Sequence, residues 1–248
     1  MKELNVEIKT PDGTLDAFVC HPEEKGPFPA VIMYMDAPGI REELRDMARR
    51  IGTVGYFVLL PNLYYRQGTE DNYGFVRDKI RVDENERQKM FELMQATTTE
   101  RVMSDTRPML DFIKGQTAAK DGPVGAVGYC MSGKYIVQVG ADYPEEIKAL
   151  ASYYGVGIKT DEPNSPHLSA SKIQGELYLA FASHDDYVPD SIVKSLPQDL
   201  DKAGINYRIE TYPDTDHGFA FPQRPAYNKD AAERHWERIF DLFERNLK

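Results

Sequence analysis

Short apolar runs with strand character alternate with longer helix-like stretches along nearly the whole chain, and few folds accommodate that order. Ala30–Met35, Tyr56–Leu60, Val124–Val127, Ala149–Tyr154, Glu176–Phe181 and Tyr207–Tyr212 read as strands. Arg41–Gly52, Glu84–Gly115, the stretch from Met131, Asp190–Ala203 and Ala226–Asn246 read as helices. Strands separated by helices imply βαβ units and a mainly parallel sheet covered on both faces. At the start, Val6–Ile8 and Leu15–Cys20 flank Pro11-Asp12-Gly13, a hairpin turn signal. Pro108 is expected to break or kink the long helical stretch. Trp236, Ile239, Phe240 and Phe243 recur at helical spacing in the last helix and read as core. Residues 66–83 and 159–172 are polar and irregular. No linker or repeat divides the 248 residues, so a single α/β domain over 1–248 is expected.

Composition limits the function. Hydrophobic residues make up 41% and charged residues 28%, ordinary for a soluble globular protein. A net charge of −10 argues against nucleic acid and anionic membranes as partners. Two cysteines, Cys20 and Cys130, suggest no disulfide framework, and the N-terminal stretch has no signal-peptide character. A cytoplasmic location is the expectation, with a small molecule as partner and a monomer or small homo-oligomer as the assembly.

The chemistry concentrates in Val-Gly-Ala-Val-Gly-Tyr-Cys-Met-Ser-Gly-Lys (124–134). A strand runs into Gly128, then Cys130, then a helix, the layout of a nucleophile elbow. Small residues must flank the nucleophile where strand and helix approach closely. Gly128 serves on one side; on the other, Ser132 stands where glycine is usual and Gly133 follows. Free cysteine is ordinarily inert packing, but a packing cysteine needs no glycine two residues before it at a strand tip. Open parallel sheets bind ligands beyond the carboxyl ends of their strands. Ser-His-Asp-Asp-Tyr-Val-Pro (183–189) and Thr-Asp-His-Gly-Phe (215–219) should fall at the same edge as Cys130. The order nucleophile, acid, histidine is that of the α/β-hydrolases. A free thiol, with a pKa of about 8.5, needs a base to become a nucleophile at neutral pH. Of the five histidines, His217 is favoured because it lies in a glycine-containing loop after a late strand. Asp185 and Asp186 are both placed to orient it. The amides of Met131 and Ala37 are the natural oxyanion donors. Asp36 has two readings: a carboxylate in the substrate site beside the nucleophile, holding the resting thiol or interacting with Arg66 or Arg87, or a helix N-terminal carboxylate stabilised by the dipole.

With these residues in view, the chain resembles the dienelactone hydrolase family. The resemblance rests on Gly-Tyr-Cys-Met-Ser-Gly (128–133), Asp-Asp-Tyr-Val-Pro (185–189), His-Gly-Phe-Ala (217–220), Pro-Asn-Leu-Tyr-Tyr-Arg-Gln (61–67) and Tyr-Tyr-Gly-Val-Gly (153–157). It implies an α/β-hydrolase fold, a three-layer sandwich, with a Cys130–His217–Asp185 triad and neither cofactor nor metal. It also implies hydrolysis of an ester or enol-lactone through a thioester. Family enzymes carry a glutamate where this chain has Asp36, and arginines that anchor a substrate carboxylate. Arg87 looks like one anchor. The other should follow the histidine, where Phe221 stands, with Arg224 nearby as a substitute. Phe221 in that place leads to the expectation of a less anionic substrate. Two other classes are carried. One is metal binding through His184, Asp185, Asp186, Asp214, Asp216 and His217. The other is a non-catalytic or redox role with Cys130 as a sensor, which a peroxide-dependent disulfide with Cys20 would support.

Overall fold

A computed structural model describes all residues 1–248. The hairpin signal makes β1 (Lys2–Thr10) and β2 (Gly13–His21), paired antiparallel with Gly13 in the turn at φ +149. The apolar runs become β3 (Phe28–Tyr34), β4 (Phe57–Pro61), β5 (Ala119–Tyr129), β6 (Ile147–Tyr153), β7 (Glu176–His184) and β8 (Tyr207–Asp216). They form one eight-stranded sheet in the order β1-β2-β4-β3-β5-β6-β7-β8. The first two pairings, β1 with β2 and β2 with β4, are antiparallel and the others parallel. β3, β4 and most of β6 and β7 are buried along their length, as strands covered on both faces must be.

Helices α1 (Glu42–Thr53) and α6 (Lys229–Leu247) are tied to each other by an Arg50–Glu233 ion pair. α3 (Thr99–Lys114) and α4 (Gly133–Asp142) pack together elsewhere on the sheet, and α2 (Glu84–Ala96) and α5 (Asp190–Ala203) complete the set. The result is a three-layer α/β sandwich around a core of 72 buried residues. Trp236, Ile239 and Phe243 of α6 are buried in it, and Phe240 packs against it half-exposed.

The long helical stretch does break, but not at Pro108. The chain turns at Thr97 and Thr98, and the Thr98 hydroxyl caps α3 by accepting the Arg101 amide at 3.3 Å. Pro108 lies inside α3. Burial of Val102, Thr106, Met109, Leu110 and Ile113 on one side holds the helix together across the missing donor.

Candidate active site

Strand register sets the site. Tyr34 of β3 is level with Gly128 of β5, so two residues further on Asp36 and Cys130 leave the sheet side by side. His184 of β7 is level with Asp216 of β8, so one residue further on Asp185 and His217 leave it together. All four emerge beyond the carboxyl ends of parallel strands, where a ligand meets an open α/β sheet.

Cys130 is partly exposed and has φ +55, a left-handed conformation that costs a non-glycine residue roughly 1–3 kcal/mol. A tight 3-10 turn over Cys130–Ser132 leads into α4. A Cβ on Gly128 would lie 2.8 Å from Ile136 Cγ1, and one on Gly133 would lie 2.2 Å from the Gly155 backbone. Ser132 fits where glycine is usual because its buried hydroxyl has a use: it donates to the Met35 carbonyl, tying the elbow to the end of β3. From the other side, the Val156 amide donates to the Cys130 carbonyl at 2.9 Å. Tyr129, next to Cys130, meets Nε2 of buried His235 at 2.9 Å. The Gly155 backbone cannot retreat, so Gly133→Ala is expected to cost about 3 kcal/mol. Urea denaturation checks this; a loss under about 0.5 kcal/mol would mean that the elbow is looser than described.

His217 Nδ1 lies 2.9 and 3.0 Å from the two oxygens of Asp185, whose side chain is 2% exposed. The Tyr187 amide donates to Asp185 Oδ1 at 2.9 Å and fixes the carboxylate further. Asp186 points outward, exposed and unpaired, which separates the two adjacent aspartates. Nε2 of His217 is buried and has no hydrogen-bond partner, while the Cys130 sulfur lies in the same cleft. Burial alone would push the imidazole down. The hydrogen bond with Asp185 and the neighbouring Cys130 sulfur outweigh it and raise His217 to about 9. Tyr187 covers the imidazole edge-on, with ring centroids 4.8 Å apart.

Ala37 follows Asp36 in a turn closed by the Gly39 amide on the Asp36 carbonyl at 3.0 Å. Buried Tyr64 joins this turn to the elbow: its hydroxyl donates to the Ala37 carbonyl at 2.8 Å and lies 3.2 Å from Met131 Sδ. The two segments with the candidate oxyanion donors therefore share one anchor.

Asp36 does not pair with Arg66 or Arg87. Arg66 is bound instead to Asp105 and Asp12, and Arg87 to Glu84. Fully buried Asp36 takes two guanidinium nitrogens of Arg41, at 2.6 and 3.2 Å, and one of Arg224. Burial would raise its carboxyl pKa, but Arg41 and Arg224 prevail and hold it below the usual carboxylate range. Phe221 is also misplaced by the sequence reading. It is fully buried, and Arg224 lies over its ring at 4.6 Å and Arg41 at 5.1 Å. It offers no apolar surface to a substrate; it is the platform on which Arg224 rests.

The cleft over Cys130 has a volume of about 280 Å³. Ala37, Cys130 and His217 line one end, Met90, Phe91 and Met94 of α2 an apolar wall, and Arg81, Arg87 and Arg224 a cationic rim. Arg81, Tyr187 and the α2 wall also line the cleft, although sequence patterning does not single them out. Tyr187 lies within the Asp-Asp-Tyr-Val-Pro motif and was legible there; Arg81 lies in the irregular stretch and carried no signal. No group of three or more His, Cys, Asp or Glu side chains is placed to share a metal ion, so the carboxylates around His217 do not converge. Cys20 lies on β2, three strand positions from β5, about 14 Å at normal strand spacing. A disulfide needs Cα atoms within about 7 Å, so Cys20 cannot resolve an oxidised Cys130 in this fold. Burial pushes the Cys20 thiol up to about 12. No helix is long and apolar enough to cross a membrane.

The sheet, with Cys130 at the end of β5 and Asp185 and His217 after β7 and β8, and the family match together place the chain among hydrolases of the α/β-hydrolase fold. Within that class the chain belongs to the dienelactone hydrolase family, whose model matches residues 15–247. It is 31% identical over 255 residues to a protein of Synechocystis sp. described as "Putative carboxymethylenebutenolidase", covering 99% of this chain and 100% of that one. A protein of Methylorubrum extorquens with the same description is 28% identical, covering 96% of this chain and 79% of its own length. Among solved structures, the chain superposes with TM-score 0.84 on one described as "Putative Dienelactone Hydrolase" from Klebsiella pneumoniae. That match has 24% identity and covers 98% of this chain and 99% of the other.

Proposed function

We propose that the protein hydrolyses an ester or enol-lactone bearing a carboxylate, with Cys130 as nucleophile. The observation that carries this reading is the arrangement of His217: Nδ1 is held by Asp185, and Nε2 is unpartnered in the cleft that contains the Cys130 sulfur. His217 Nε2, with its pKa raised to about 9, takes the thiol proton to give an imidazolium–thiolate pair, and the thiolate Sγ then bonds to the substrate carbonyl carbon. The oxygen becomes an oxyanion held by the amides of Met131 and Ala37. As the tetrahedral adduct collapses, the C–O bond to the leaving group breaks and His217 returns the proton to that oxygen. The product is a thioester on Cys130. Water, deprotonated by His217, then attacks the thioester; the C–S bond breaks, the acid leaves, and the Cys130 thiolate and the His217 imidazolium that holds water's proton restore the starting pair. Asp185 keeps the imidazole in the required tautomer throughout and stabilises the imidazolium. Thioester breakdown is slow without a well-placed water, which favours substrates with good leaving groups, such as enol-lactones.

A carboxylate on the substrate is supported by Arg87 and Arg224 along the cleft, in a chain whose net charge is −10. Burial of Phe221 removes the reason to expect a less anionic substrate. The relatives' description as carboxymethylenebutenolidases agrees. Steady-state hydrolysis of dienelactone beside a neutral activated aryl ester tests the preference. The carboxylate-bearing lactone is expected to have the higher kcat/KM by at least about tenfold, worth about 1.4 kcal/mol. Preference for the neutral ester would overturn the anionic assignment and leave the nucleophile assignment standing.

A further inference from the structure

The catalytic cleft does not end at Arg81. Pro38, Ile80, Arg81 and Arg224 also line an adjoining cavity of about 210 Å³, and eight of its nine lining residues are not hydrophobic. Four arginines reach this annex, Arg41, Arg77, Arg81 and Arg224, against two carboxylates, Glu43 and Asp78. Arg41 is committed to Asp36 and Glu43. Arg77 makes no ion pair; it donates to the carbonyls of Pro38, Ile40 and Glu70, which fixes its position and leaves its charge unmatched. Arg81 makes neither a hydrogen bond nor an ion pair, although Arg41 and Arg224 line the same cavity. Its pKa is pushed down by burial and by those two guanidinium charges, so the like charges do oppose one another there. Glu43 is occupied by Arg41 and by the Gln223 amide, and Asp78 is exposed and unpaired.

We propose that this annex is a second anion subsite, so that the substrate carries a further acidic group, carboxylate or phosphate, remote from the scissile bond. Guanidinium forks match both groups in bidentate geometry. The apolar wall of Met90, Phe91 and Met94 in the cleft suits a short hydrocarbon body between the reacting carbonyl and the far anion. Arg81 lines both cavities and is the residue that selects for the second charge. The inference rests on the hydrolase reading above and deepens it.

The test is calorimetric titration of the wild-type protein with straight-chain dicarboxylates of about four to eight carbons, beside the monocarboxylates of equal length. ω-Phosphonocarboxylates form a third arm that separates carboxylate from phosphate at the far end. At one chain length the doubly charged ligand is expected to bind at least about tenfold tighter than its monocarboxylate. Arg81→Ala should remove that advantage, and Asp78→Asn, which deletes the opposing charge, should increase it a few-fold. A merely structural role for either residue would not give opposite signs. Equal binding of singly and doubly charged ligands at every length would overturn the subsite, as would equal weakening of both by Arg81→Ala. The readout needs no turnover, so failure of the hydrolase reading would appear separately, as absent ester hydrolysis.

Discussion

Cys130→Ala is expected to lower kcat/KM for any hydrolysed ester or lactone by about 10⁴-fold or more, while the protein stays folded. Removal of a nucleophile leaves only oxyanion stabilisation and binding, and losses of that size are typical when the attacking atom is deleted. The fold should tolerate the change, because the cysteine is only partly buried and its position is fixed by neighbours rather than by its own sulfur. Those neighbours are Ser132 on the Met35 carbonyl, the Val156 amide on the Cys130 carbonyl, and Gly133 against Gly155. Stability within about 1 kcal/mol of wild type by urea denaturation, together with lost turnover, is the expected pair of results. Full activity in a folded Cys130→Ala protein would remove the nucleophile assignment altogether.

Asp185→Asn is expected to be the next largest loss, about 10²–10⁴-fold in kcat. Both Asp185 oxygens face His217 Nδ1, at 2.9 and 3.0 Å, and both therefore accept. Asparagine offers one acceptor and one donor, and its amide can turn to favour the tautomer with the proton on Nε2, which cannot accept a thiol proton. The same substitution should alter the dependence of stability on pH. His217 is raised to about 9 in the folded protein against an ordinary value of about 6.5. The folded state therefore holds this proton more tightly. Its contribution to stability is complete below about pH 6.5 and is lost as the pH rises through about 9. The contribution is at most about 3 kcal/mol, shared between Asp185 and the Cys130 sulfur. Asp185→Asn should thus be destabilised most at pH 6, with the gap to wild type narrowing by pH 10. A gap that widens with pH would show the ion pair to be misassigned.

Much of this was legible in the chain, and the parts that were not share a cause. Alternating strand and helix signals, Pro11-Asp12-Gly13 and the glycine before Cys130 act locally, through backbone geometry and periodicity, and a local reading recovers them. Parallel register then brings Cys130, Asp185 and His217 to one edge. Charge partners are different, because an arginine reaches several ångströms in any direction from its backbone. Asp36 goes to Arg41 and to Arg224, 188 residues away in sequence, while Arg66 goes to Asp105. Phe221 occupies the place where an anchoring arginine was expected, yet the turn closed by the Phe221 amide on the Gly218 carbonyl buries its ring. Spacing along a chain does not say which side of such a turn a residue faces. Arg81 had no periodicity to mark it, and only the cavity identifies it.

The central claim is covalent catalysis through sulfur, and the most direct measurement is identification of the acylated residue. An activated aryl ester is mixed with the wild-type protein, quenched in acid during turnover and mapped by peptide mass spectrometry. A phenol burst equal to the enzyme concentration is expected, with the acyl mass on the peptide that contains Cys130 and released by neutral hydroxylamine, as a thioester is. Acyl mass on any other side chain, or undiminished turnover after stoichiometric alkylation of Cys130, would contradict it.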